Sequence, residues 1–186
     1  MIQLIILVGK SCSGKDSVKK VLTGNYNIEP VLEYTTRPMR SGEIQDQTYH
    51  FISKEEFINK IDKNDFIHWN CFNTVQGEWY YGLTLEDIKI DSVLITYPSE
   101  LIAIIPILKE KFNEKIKVFY LMVDDLVIRN RLKQRGDNPC EAERRMAADN
   151  IDFEGIGNYV DFIINCNNKT PNQIGEEIYN LGKICK

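Results

Sequence analysis

GKSCSGKDS, residues 9–17, follows the apolar run IQLIILV, residues 2–8, and precedes VKKVLTGNY, residues 18–26, whose apolar positions have helical spacing. Gly9 and Gly14 flank four residues, and Lys15 comes next. That spacing predicts a loop whose backbone N–H groups converge on a phosphate, because glycine permits the tight coil that brings them together. The helix that follows aims its partial positive end at the same anion. Lys15 adds a point charge for the outer phosphates. Gly9, Ser11, Cys12, Ser13, Gly14, Lys15, Asp16 and Ser17 are therefore the candidate polyphosphate residues. The residue after Lys15 is Asp16, not Ser or Thr, and Ser17 comes one place later. The charge of Asp16 also repels phosphate.

Working outward, residues 2–8, 91–97 (DSVLITY), 117–123 and 161–165 read as buried-type strands separated by helical stretches. That alternation predicts an α/β fold around a parallel sheet, with ligands beyond the carboxyl ends of the strands. Ser53 and Glu56 form a capping-box pattern ahead of Phe57, Ile58 and Ile61. Residues 66–72 and 78–81 predict short strands in an antiparallel patch. Residues 101–112 predict a helix disturbed at Pro106. Asp124 or Asp125 is placed to cap a helix over residues 126–134. RGDNP, residues 135–139, breaks that helix before another at 141–150, and residues 171–181 predict the last helix.

The 186 residues suffice for one domain with a substantial core. A net charge of −4 argues against a general nucleic-acid binder. The five cysteines form no C-x-x-C pair, so no structural zinc site is expected. An odd cysteine count and no signal-peptide pattern predict reduced thiols and a cytoplasmic location. No stretch approaches membrane-spanning length.

Two further clusters carry chemistry. TTRPMRSGE, residues 35–43, sets Arg37 and Arg40 on an extended, proline-stiffened segment. Two guanidinium forks suit a single phosphate, and the phenols of Tyr49 and of the YYG run, residues 80–82, can add hydrogen bonds. Taken alone, a solvated basic loop over packed aromatics explains the segment equally well. Arg129, Arg131, Arg135, Arg144 and Arg145 lie close together in an otherwise acidic chain. Arg131 and Arg135 share a helix face. Helix, loop and helix with inward arginines describe a lid over a transferring phosphoryl group; the alternative is surface ion pairing with Glu141 and Glu143.

Taken together, these segments resemble the guanylate kinase family of P-loop nucleoside monophosphate kinases. The resemblance spans nearly the whole chain: residues 9–17, TTRPMRSGE, YHFISKEEF (49–57), NDFIHW (64–69), YYG, RLKQRG (131–136) with Arg145, and DFIIN (161–165). It implies a three-layer P-loop NTPase core (residues 1–32, 85–125 and 147–186), a monophosphate-binding insertion (33–84) and a helical lid (126–146). It implies ATP and Mg²⁺ as cofactors, with Asp16 and Ser17 as the candidate oxygen ligands of the metal, and a nucleoside monophosphate as acceptor. No nucleic-acid or membrane partner is expected, and the chain would be a monomer or homodimer. By the same mapping Arg37, Arg40, Tyr49 and Tyr81 hold the acceptor phosphate and Lys15 the donor phosphates. Arg135 and Arg145 join them in catalysis, and Arg131 and Asn165 lie on the ATP side.

The departures from the family pattern fall on the base-reading side. Glu33 stands where the family usually has serine, His68 where it has a guanine-reading glutamate, and Leu83 where it has serine or threonine. Guanine presents two donors that suit a carboxylate, so these changes imply another acceptor or a different way of reading GMP, with Glu33 or Glu78 as a relocated carboxylate. Thr96, Tyr97 and Pro98 replace the aspartates usual after the second core strand. The GKDS string is similar to that of ribose 1,5-bisphosphate phosphokinases, a rival reading. A non-catalytic binding module is another, disfavoured by the retained Gly9, Gly14, Lys15 and arginines.

Overall fold

Leu4–Val8 forms the first strand, β1, with every residue buried; a strand covered on both faces reads as an unbroken apolar run. The computed structural model describes residues 3–74 and 77–183. After β1 come α1 (Lys15–Tyr26), β2 (Glu29–Pro30), β3 (Tyr34–Thr35), β4 (His50–Phe51) and α2 (Lys54–Asp62). β5 (Phe66–Thr74), β6 (Gly77–Thr84), β7 (Ser92–Thr96), α3 (Pro98–Phe112) and β8 (Ile116–Met122) follow. The chain closes with α4 (Asp125–Arg135), α5 (Pro139–Asp152), a 3-10 turn (Ile156–Tyr159), β9 (Phe162–Asn165) and α6 (Pro171–Leu181). Two units result, Met1–Pro30 with Ile90–Lys186, and Val31–Lys89. The expected insertion, 33–84, lies inside the second unit, which also takes residues 31–32 and 85–89 of the expected core; residues 126–146, expected as a lid, cover most of α4 and the first part of α5 in the first unit.

The first unit is a five-stranded parallel sheet in the order β2-β7-β1-β8-β9. Strand pleating sends Ile5 and Leu7 to one face and Leu4, Ile6 and Val8 to the other. Ile5 and Leu7 join Val18 and Leu22 of α1, Ile128 and Leu132 of α4, Met146 of α5, and Ile174 and Ile178 of α6 in one buried cluster. The other face is buried too, and α3 packs against β8. Helices on both faces of the sheet give the three-layer α/β fold.

The second unit is a mixed sheet in the order β4-β3-β6-β5, with β5 and β6 antiparallel. Its core is aromatic: Phe57 of α2 stacks on Phe66, ring centroids 4.6 Å apart. Ser53 accepts from the Glu56 N–H and Glu56 reaches back, completing the capping box.

Three local readings differ from the structure. α3 starts at Pro98 and runs unbroken through Pro106, because proline suits the first helical position and Pro106 lies on the exposed face, where the carbonyl it leaves unbonded meets solvent. Asp124 occupies the cap position of α4 without a capping side-chain bond, and Asp125 instead pairs with Lys10 at 2.9 Å. β2, β3 and β4 are two residues each, too short to leave a periodic signal. Val75, Gln76 and Cys185 lie outside the described residues. Among the described residues no helix is long and apolar enough to cross a membrane.

Candidate active site

The phosphate loop leaves β1 at its carboxyl end, where Val8 pairs with Thr96 of β7 and Tyr120 of β8. The chain runs from β1 to one side of the sheet and later crosses to the other, which opens a crevice at this edge. A Cβ on Gly9 would lie 2.6 Å from Ser13 Oγ and 3.1 Å from the Leu121 carbonyl oxygen, so only glycine fits. Gly14 precedes α1 in the left-handed region at φ 102°, and Cys12 is left-handed at φ 56°. Such turns curl successive N–H groups into an anion-binding nest.

Lys15 is the first residue of α1, and its Nζ donates to the carbonyls of Gly9 (2.5 Å) and Lys10 (3.1 Å). Burial lowers its pKa, opposed by the negative charges of Asp16 and then Asp149. Ser13 Oγ is buried with no hydrogen-bond partner among the described residues. Beside the loop is a cavity of about 450 Å³, lined by the residues from Cys12 to Val18, by Arg131 and Arg135, and by Lys169, Pro171 and Ile174. Asp16 and Ser17 are exposed in the same wall. A carboxylate and a hydroxyl are hard oxygen donors, and they fit Mg²⁺, which needs few protein ligands when phosphate and water complete its shell.

Arg131 and Arg135 both reach the cavity, as their spacing predicts. Arg131 Nη1 donates to the carbonyls of Cys12 (2.9 Å) and Ser13 (3.3 Å). Arg135 closes a fork on Asp137, Nε to Oδ1 at 2.6 Å and Nη2 to Oδ2 at 2.5 Å. Arg145 donates to Glu141 Oε1 at 2.8 Å and lies 3.5 Å from Asp137 Oδ2. The surface pairs weighed against a lid are also present, Arg129 with Glu143 and Arg144 with Glu141. Arg144 and then Arg145 hold the Glu141 carboxyl down at about 2. Asn165 is exposed at the end of β9 and its Oδ1 accepts from the Asn167 N–H at 3.1 Å; it is not part of the cavity wall. Lys169, Pro171 and Ile174 form that wall instead. The Thr170–Pro171 helix start was legible, but only the packing of α6 on α1 brings it here.

In the second unit two threonines fasten the TTR segment to β6. Thr35 Oγ1 and the Thr36 N–H both donate to the Tyr80 carbonyl (3.0 and 3.1 Å), and the Tyr80 N–H donates to Thr36 Oγ1 at 3.0 Å. The Arg37 N–H then donates to Thr35 Oγ1 at 3.1 Å. The Arg37 side chain is buried and grips Glu43 with both prongs, Nη2 to Oε1 at 2.7 Å and Nη1 to Oε2 at 2.9 Å. Glu43 raises the Arg37 pKa against burial, and a hydrogen bond with Tyr81 adds to the rise. Arg37 in turn holds the Glu43 carboxyl below the usual carboxylate range. The Tyr49 ring lies 5.5 Å from the guanidinium carbon. Arg37, Tyr49 and Tyr81 are thus brought together, with Glu43 as a partner that had not been singled out. Arg40 is exposed, and its N–H donates to Glu43 Oε2 at 2.6 Å.

The base-side candidates sit on the same sheet. His68 of β5 pairs with Leu83 of β6 beside a register shift. His68 is half-buried, and burial lowers its pKa. Leu83 is fully buried, so it meets a dissolved ligand only after rearrangement. Glu33 is half-buried and its carbonyl accepts from the His50 N–H at 2.9 Å. A Cβ on Gly82 would lie 2.8 Å from Phe57 Cζ and Phe66 Cε1, which explains the glycine of YYG.

Residues 1–176 match the family profile described as Guanylate kinase. The chain belongs to the guanylate kinase family. It is accordingly a nucleoside monophosphate kinase, a transferase of the P-loop fold. A guanylate kinase from Prochlorococcus marinus subsp. pastoris is 32% identical over 99% of this chain and 97% of its own length. One from Clostridium tetani is 36% identical over 75% of this chain and 66% of its own length. Among solved structures, guanylate kinase from Anaplasma phagocytophilum superposes with a TM-score of 0.62 at 18% identity, covering 97% of this chain and 84% of that one. The YorR protein of Bacillus subtilis, solved in complex with phosphorylated GDP, gives 0.51 at 18% identity, covering 96% and 94%. At such identity these structures establish the fold.

Proposed function

We propose that the chain transfers the γ-phosphoryl group of ATP to the phosphate of GMP or dGMP. The observation that carries this reading is Lys15, a half-buried cation at the amino end of α1 in the wall of a cavity shared with Arg131 and Arg135. On the donor side the loop N–H groups and Lys15 bind the polyphosphate. On the acceptor side Arg37, Arg40, Tyr49 and Tyr81 bind the monophosphate. A phosphate dianion matches the fork that Glu43 now fills and carries more charge. Arg135 and Arg145 neutralise charge on the group in transit. Mg²⁺, held by Asp16 and Ser17, supplies further neutralisation of the phosphate oxygens when bound. The acceptor is already ionised near neutral pH, so no strong base is needed, and positioning and electrostatics supply the rate.

Base reading is where the chain departs from its family. A neutral imidazole at His68 offers one acceptor, where guanine presents two donors. Glu78 is exposed and paired with Lys54 at 2.6 Å, whereas Glu33 is half-buried beside β3, and the more shielded Glu33 is taken as the relocated carboxylate. His68 also favours a second reading, an acceptor base with a single donor on that edge. An ADP-release screen over GMP, dGMP, IMP, AMP and phosphorylated ribose separates them. The expected result is turnover of GMP and dGMP that Lys15→Ala lowers by about 10³-fold and Glu33→Gln weakens. A preference for IMP installs the second reading, and no turnover of any nucleotide overturns both.

A further inference from the structure

The phosphate loop has two limbs. Cys12 to Val18 line the cavity, whereas Lys10 and Ser11 turn to the α4–α5 pair. The Ser11 N–H donates to Asp149 Oδ2 at 2.7 Å, across 138 residues of sequence. Lys10 Nζ donates to Asp125 Oδ1 of α4 at 2.9 Å and also to Asn150 Oδ1 of α5. Arg131 of α4 occupies the Cys12 and Ser13 carbonyls. The loop backbone is therefore held from both helices, its carbonyls by a cation and one N–H by an anion.

That anion needs a reason. Asp149 is half-buried and close enough for its charge to act on Lys15. A carboxylate in that position repels a polyphosphate as well. A charged acceptor on a backbone N–H is among the stronger hydrogen bonds a protein makes, and a loop that works through converging N–H groups depends on its backbone being held before the anion arrives. We propose that Asp149 is a positioning residue for ATP binding, acting through the Ser11 N–H to hold the phosphate loop against α5. The inference rests on the reading that this cavity takes ATP.

Calorimetric titration of ATP into the full chain tests it, with wild type, Asp149→Ala and Asp149→Asn compared. Removing a charge-assisted hydrogen bond predicts an ATP Kd about tenfold weaker in Asp149→Ala. Asp149→Asn, which keeps size and an oxygen acceptor but loses the charge, falls between. In steady state the same variants raise KM for ATP more than they lower kcat, and thermal melting stays within about 2 °C of wild type. Wild-type binding with an unchanged Kd in Asp149→Ala overturns the positioning role alone. A weaker Kd that simply follows a collapse in melting temperature in both variants overturns it too. A wild-type chain that binds no ATP overturns the underlying reading and this inference with it.

Discussion

Around Lys15 the anion cradle is built largely from main chain: a left-handed Cys12 and Gly14 and the amino end of α1. Around Arg37 it is built from side chains, a guanidinium fork in the grip of Glu43 with Tyr49 and Tyr81 beside it. The first depends on residues adjacent in sequence, so a short motif carries it. The second depends on Thr35 and Thr36 being pinned to Tyr80, so it exists only once β3 has paired with β6. The two units also treat a partly buried acid and a buried one in opposite ways. Glu43 is paired with a cation and its pKa falls. Glu100, in the first unit, is buried with a hydrogen bond from Thr96 at 2.5 Å, and burial pushes its carboxyl up to about 7.

The sharpest break of this comparison is Lys15→Ala. The main-chain cradle survives while its charge is lost, and kcat/KM falls by about 10³-fold in the coupled assay, with an unchanged circular-dichroism spectrum. Glu100→Gln comes next. A carboxyl whose pKa is raised in the folded state contributes stability below about pH 4.5 that is lost as pH rises through about 7. In denaturant unfolding the glutamine variant should therefore be more stable than wild type at pH 8, by up to about 3 kcal/mol, and match it near pH 4. Glu43 runs the other way, since its lowered pKa makes the pair with Arg37 fail on acidification. A gain at pH 8 that is absent for Glu100→Gln would erase the contrast between the two acids.

Gly82→Ala probes the second unit's packing. The new methyl meets Phe57 and Phe66 at 2.8 Å, and denaturant melts should show a loss of about 2 kcal/mol. Arg37→Lys has the smallest expected effect. It keeps the charge and removes the fork, so KM for the acceptor nucleotide rises about tenfold while KM for ATP holds. Equal rises in both would mean that the side-chain site is not separable from the main-chain one.

Much of this was legible in order and spacing. The strand and loop at residues 2–17, the capping box at Ser53, the antiparallel pair after residue 66 and the helix at 171–181 all follow from local rules, and all are present. The continuity of α3 through Pro106 was not legible, because what tolerates a proline is the exposure of the face it sits on. Asp149, Glu43 and Glu100 were missed for a related reason. A carboxylate on a helix or loop reads as solvated surface until its partner is known, and their partners lie 138, 6 and 4 residues away.

The linear order alone determined that this chain holds a phosphate loop, a parallel-sheet core and two arginine clusters, because glycine spacing and apolar periodicity act over a few neighbouring residues. Tertiary structure decided that Asp149 meets the Ser11 N–H, that Leu83 is buried, and that α6 rather than Asn165 completes the cavity wall. Those outcomes depend on how elements far apart in sequence pack together, and burial and partner choice are properties of that packing.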